Sequence, residues 1–131
     1  MVAALSGIAI LIADDNVDTL DVLRDLTAFE GATVRTAINA REALAVLRTW
    51  TPDVLLLDLS MPDMDGCELI AVIRRQPALR GILAVAVTGY GEASDKLRCA
   101  EAGFEAHITK PFDGDTLVQL IASLVPHPHA A

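Results

Sequence analysis

Short apolar runs alternate along this chain with segments whose apolar residues recur at helical spacing. Ile8 to Ala13, Ala32 to Thr36, Val54 to Leu57, Ile82 to Val87 and Ala106 to Thr109 read as strands. Three of them are apolar throughout, as central parallel strands covered on both faces are. Between the runs, Leu20, Leu23 and Ala28 begin one helical stripe. Ala40, Ala43, Leu44 and Leu47 make the next at i, i+3, i+4 and i+7, and Leu69, Ile70 and Ile73 a third. The pattern is weakest from Glu92 to Ala102, where Leu97 is the one large apolar residue. Leu117, Leu120, Ile121 and Leu124 form the last stripe, with Asp113 placed to cap it. Pro126 and Pro128 end the periodicity, and residues 125–131 read as a flexible tail.

Five such β-α units predict an α/β fold: one doubly wound, five-stranded parallel sheet with helices on both faces, because right-handed crossovers put a helix between successive parallel strands. The 131 residues suit one domain, with its core from about 8 to 124, and no internal linker interrupts them. Hydrophobic residues make up 53% of the chain but aromatics only 4%, so the core must be built from Val, Leu, Ile and Ala.

The charge narrows the partners. Eighteen acidic against ten basic residues leave a formal net charge of -8, which phosphate backbones and anionic lipid surfaces repel. Nucleic acid is therefore a poor direct partner, whereas divalent cations and basic protein patches are good ones. Cys67 and Cys99 match no metal or redox spacing and suit a reducing compartment. No apolar run reaches the roughly 18 residues of a membrane span. Met1 to Ala13 lacks the basic start and cleavage region of a signal peptide. A cytoplasmic protein without membrane insertion is the expectation.

In sheets of this kind the functional site lies at the carboxyl ends of the strands. Here the first strand ends in Asp14-Asp15, the third in Asp58, the fourth in Thr88-Gly89 and the fifth in Lys110-Pro111. Taken singly each has a plain explanation. An Asp after a strand is commonly a helix N-cap, Met61 to Gly66 is turn-like, a strand-end Thr is ordinary, and a lone Lys is usually solvated. Their joint placement is different. Three carboxylates brought together raise one another's pKa unless a cation sits among them. A hard divalent ion such as Mg²⁺, which takes carboxylate, carbonyl and water oxygens, resolves that conflict.

The sequence resembles the receiver domain of bacterial two-component response regulators (CheY-like) over nearly its whole length, from about Ile8 to Leu124. The residues that carry the resemblance are Asp14-Asp15, the run Pro52 to Asp58 with Met61-Pro62-Asp63-Met64-Asp65-Gly66, then Thr88-Gly89 and Lys110-Pro111-Phe112. It implies a flavodoxin-like strand order of 2-1-3-4-5. It also implies a signalling switch rather than an enzyme with a released product. Asp58 would accept a phosphoryl group from a phosphohistidine. Asp15, Asp58 and the backbone carbonyl of Ser60 would bind Mg²⁺ directly, with Asp14 acting mostly through water. Lys110 would pair with a phosphoryl oxygen, Thr88 would donate a hydrogen bond to it, and the Lys110-Pro111 bond would be cis. The implied partners are a sensor histidine kinase or histidine phosphotransfer protein, and a downstream protein target.

The resemblance has departures. Three residues before Lys110 the family often carries Tyr or Phe, which turns inward when the Thr88 equivalent moves; here it is His107, read either as a switch residue or as an edge-strand residue that merely packs. The implied output surface is the segment from Glu92 to Ala102, the strand Ala106 to Thr109 and the last helix. Ser60 and Tyr90 stand where the family tunes water access to the acyl phosphate. His127 and His129 read as tail residues rather than metal ligands.

Rival functions fit less well. A haloacid-dehalogenase-like phosphatase needs Asp-x-Asp, and Ser60 occupies the second position. A flavodoxin-like cofactor binder needs a phosphate loop where Asp14-Asp15 would repel phosphate, and Gly89-Tyr90-Gly91 lacks a dinucleotide site's third glycine. A docking module on the same fold, without phosphorylation, is the remaining alternative.

Overall fold

The computed structural model describes residues 3–89 and 100–125. Its five strands, β1 (Ala9–Ala13), β2 (Thr33–Ala37), β3 (Val54–Asp58), β4 (Leu83–Thr88) and β5 (Ala106–Thr109), form one sheet in the order β2-β1-β3-β4-β5. Every pairing is parallel. The described helices are α1 (Val17–Phe29), α2 (Ala40–Leu47), α3 (Gly66–Arg74) and α4 (Gly114–Leu124), with a short 3₁₀ turn at Pro77–Leu79. The expected helix at Glu92 to Ala102 lies largely outside the described residues, of which 100–102 are helical. Tyr90, Cys99 and the tail from Pro126 fall outside them too.

Strand side chains alternate between two cores, as the period of two requires. Ile10, Ile12, Val54, Leu56, Val85, Val87 and Ile108 face α1 and α4, packing on Leu20, Leu23, Leu117 and Ile121. Leu11, Ala13, Leu55, Leu57, Ala84 and Ala86 face α2 and α3, packing on Ala43, Leu47, Leu69 and Ile73. Helices on both faces hide both sets of strand side chains, which is why β1, β3 and β4 carry almost nothing polar until their ends.

Each described helix begins on a side-chain cap that fills an orphan N–H of the first turn. Asn16 accepts from the Thr19 N–H, Asn39 from Glu42, Asp65 from Glu68 and Asp113 from Thr116. Because Asn16 caps α1, neither Asp14 nor Asp15 is spent on that task. The register then sets the site. Ala13 lies opposite Leu57, so Asp14 leaves β1 at the level where Asp58 ends β3. Thr88 stands one step beyond the Asp58–Val87 pair and opposite Thr109, next to Lys110.

Candidate functional site

Asp14, Asp15 and Asp58 each present a carboxylate oxygen within 4.8 Å of the others, the one such cluster of possible metal ligands among the described residues. Asp14 and Asp58 are buried, at 1% and 7% exposure, while Asp15 is open to solvent. The Asp14 carboxylate is held from two sides: Oδ1 accepts from the Asn16 N–H at 2.9 Å, and Oδ2 from Lys110 Nζ at 3.2 Å. Asp58 Oδ1 accepts from the Ser60 N–H at 3.0 Å.

The electrostatics of Asp58 follow from this arrangement. Burial pushes its carboxyl above the usual carboxylate range, and the Ser60 N–H pulls it back. Asp14 raises it further by its charge and a shared hydrogen bond, against the opposing pull of Lys110. One ammonium facing three carboxylates leaves the pocket short of positive charge. The donor set is all hard oxygen. Such a set suits a hard divalent cation such as Mg²⁺, which these carboxylates would hold together with water.

Thr88 ends β4 at 3% exposure, with Oγ1 donating to Thr109 Oγ1 at 3.4 Å. The Lys110-Pro111 peptide is cis, and the Lys110 N–H donates to the Thr88 carbonyl at 2.7 Å. His107 is half-buried on β5, opposite Ala86 and two residues before Thr109 on the same face. Cys67 is half-buried in the first turn of α3.

The loop after Asp58 contains features that the sequence reading had not separated from its turn. Asp63 caps α2 from a distance of 22 to 23 residues: Oδ1 accepts from the Ala40 N–H at 3.1 Å and Oδ2 from Arg41 at 3.0 Å. Gly66 lies so close to Asp58 that a Cβ on it would sit 2.8 Å from the Asp58 carbonyl oxygen and 2.9 Å from Leu59 Cδ2. At the opposite end of the sheet, Arg74 donates to the carbonyls of Gly103, Arg80 and Ile82 and pairs with Glu105 at 2.6 Å, which ties α3 to the starts of β4 and β5.

The model of the response regulator receiver domain matches residues 10–122. The chain belongs to that family. An uncharacterised 14.6 kDa protein of Leptolyngbya boryana is 40% identical over 117 residues, 89% of each chain. The polar-differentiation response regulator DivK of Brucella anthropi is 33% identical, over 88% of this chain and 94% of its own. Among solved structures, a CheY-like receiver domain protein of Methanospirillum hungatei superposes with a TM-score of 0.82 at 32% identity, over 88% of this chain and 91% of the other. The receiver fold and the strand order implied by the resemblance are therefore those of the molecule. Receivers are signalling regulators rather than conventional enzymes, and this chain is one of them. No helix among the described residues is long and apolar enough to cross a membrane.

Proposed function

We propose that this receiver is a Mg²⁺-dependent phosphoacceptor switch in which Asp58 takes a phosphoryl group from a phosphohistidine and the new charge changes the conformation that a partner protein reads. The observation that carries this reading is the gathering of Asp14, Asp15 and Asp58 within 4.8 Å, flanked by Lys110 at 3.2 Å from Asp14. Fold stability gives no reason to assemble such a cluster.

In this reading a carboxylate oxygen of Asp58 attacks phosphorus, the P–N bond breaks, and its electron pair leaves on the imidazole nitrogen of the donor. The Ser60 N–H orients Asp58 for that attack. Mg²⁺, held by Asp15, Asp58 and the Ser60 carbonyl with Asp14 acting through water, would neutralise phosphoryl oxygens that otherwise meet a wall of carboxylates. Lys110 turns from Asp14 to a phosphoryl oxygen, and Thr88 turns its hydroxyl to another. A hydrogen bond to a charged group contributes roughly 1.5–3 kcal/mol. Two of them approach the ~5.5 kcal/mol that carries an equilibrium from 1:99 to 99:1. The switch is modest and reversible, and His107 takes the place of the family's aromatic residue, moving inward as Thr88 leaves.

The donor in this reading is a histidine kinase or a histidine phosphotransfer protein, acting in the cytoplasm. A groove of about 540 Å³ between α1 and the start of α4 supports docking beside the acceptor. Val22, Leu26, Lys110, Pro111 and Phe112 are among the residues that line it. A downstream protein then reads the switched state.

Intact-protein mass after incubation with acetyl phosphate tests the reading, with and without Mg²⁺, on the natural chain and on Asp58→Ala. One phosphoryl adduct that requires both Mg²⁺ and Asp58 is the expected result. Under the same conditions the His107 ring signals should shift in the NMR spectrum, and unmoved signals would remove His107 from the switch. Mg²⁺ binding without an adduct restricts the donor to a protein. Neither binding nor adduct overturns the reading in favour of a docking module.

A further inference from the structure

We propose that Thr109 is a positioning residue that holds the Thr88 hydroxyl in the resting arrangement, so that its own hydroxyl sets how readily the receiver switches. The inference rests on the phosphoacceptor reading and concerns what Thr88 must give up when it acts.

Thr88 and Thr109 are direct partners across the parallel β4–β5 ladder, so their side chains stand next to each other on one face of the sheet. Thr88 is almost fully buried, and the Thr109 hydroxyl is the one partner of its Oγ1 among the described residues. A buried hydroxyl without a partner is costly, so this contact fixes where Thr88 points at rest. At 3.4 Å the contact is long for two hydroxyls, whose usual separation is about 2.7–2.8 Å, and it is correspondingly weak. It is therefore strong enough to choose the resting rotamer and too weak to resist a phosphoryl oxygen, because hydrogen bonds to ionised acceptors are about twice as strong as neutral ones. Only the side chain of Thr88 is free to exchange partners. Its backbone carbonyl is bound to the Lys110 N–H at 2.7 Å, which keeps β4 and β5 in register while the hydroxyl turns.

A residue that stabilises the resting state lowers the apparent affinity for any ligand of the switched state, in proportion to the population it withholds. Replacing Thr109 by Val keeps the shape and removes the hydroxyl. Thr88 then loses its resting partner, and the switched state is reached at lower ligand concentration.

The test is titration of the full chain with beryllofluoride in excess Mg²⁺, followed by NMR. The natural protein, Thr109→Val, Thr109→Ser, Thr88→Val and the Thr88→Val/Thr109→Val double variant are compared. Thr109→Val should bind about three- to five-fold tighter, the size expected of one weak neutral hydrogen bond. Thr109→Ser should match the natural protein, because it restores the hydroxyl. In the Thr88→Val background the Thr109 substitution should change nothing, which a structural effect on β5 would not reproduce. An unchanged affinity in Thr109→Val overturns the proposal, as does an equal effect in Thr109→Ser or a persisting effect without the Thr88 hydroxyl. If the natural protein itself takes up no beryllofluoride, the acceptor reading fails first and takes this proposal with it.

Discussion

At the scale of single residues, the site is a repulsion held in place by the fold. Asp58 ends a strand that is buried from end to end, and its carboxyl is raised from its ordinary value of 3.8, first by burial and then by Asp14. A raised value means that the folded state prefers the protonated form. Holding Asp58 ionised at neutral pH therefore destabilises the metal-free protein. Asp58→Asn, which keeps the shape and an acceptor for the Ser60 N–H, should raise the melting temperature of metal-free protein at pH 7 by a few degrees. Thermal denaturation by circular dichroism in a chelator checks this, and an equal or lower melting temperature would contradict it. These residues were legible in the sequence because each stands at a change from apolar to polar, at the end of a strand. Asp63, Gly66 and Thr109 were not. Their roles depend on which atoms the register and the loop bring close: the Ala40 and Arg41 amides, the Asp58 carbonyl, and the Thr88 hydroxyl.

Elements tell a similar story at their ends. The apolar runs place every strand to within one residue but stop short where function begins. β3 and β4 continue through Asp58 and Thr88, because both residues still pair in the ladder. Asp58 and Thr88 therefore stand on strand backbone held by the ladder. β2 starts and ends one residue later than its run suggested. As an edge strand it alternates between exposed and half-buried positions, which blurs an apolar pattern. The start of α2 shows how the elements lock together. Besides its own cap at Asn39, it is held by Asp63 from the loop after Asp58, whose carboxyl is lowered chiefly by the Ala40 N–H, with Arg41 adding to it. A lowered value means that Asp63 stabilises the fold above 3.8 and that this contribution is lost as pH falls through its folded value. Asp63→Ala should therefore melt at lower temperature than the natural protein at pH 7. The gap should narrow as the pH is taken below 3.8. A gap that stays constant across that range would show that the carboxylate contributes nothing by its charge.

For the whole molecule, the alternation of strands and helices gives the α/β class but not which strands are neighbours, since periodicity marks faces and not partners. The order β2-β1-β3-β4-β5 came from the resemblance, and it is what brings β1 beside β3 and so makes one site of Asp14, Asp15 and Asp58. A chain of net charge -8 is stabilised by any salt that screens its self-repulsion. A specific ion does more, because it binds only where the folded sheet has gathered its ligands. At a free concentration of 100 times its Kd, a ligand of the native state contributes about 2.7 kcal/mol, and a domain of this size shifts by roughly 3–5 °C per kcal/mol. Mg²⁺ should thus raise the melting temperature by roughly 8–13 °C beyond NaCl of matched ionic strength. Asp15→Asn should lose most of that increment, as it removes one of the three carboxylates while leaving Asp58 in place. Asp58→Asn should lose it too, and the two substitutions together should cost no more than either alone, because both act on a single ion. Identical melting curves in Mg²⁺ and NaCl would mean that the three carboxylates share no ion, and that the native fold carries their repulsion unrelieved.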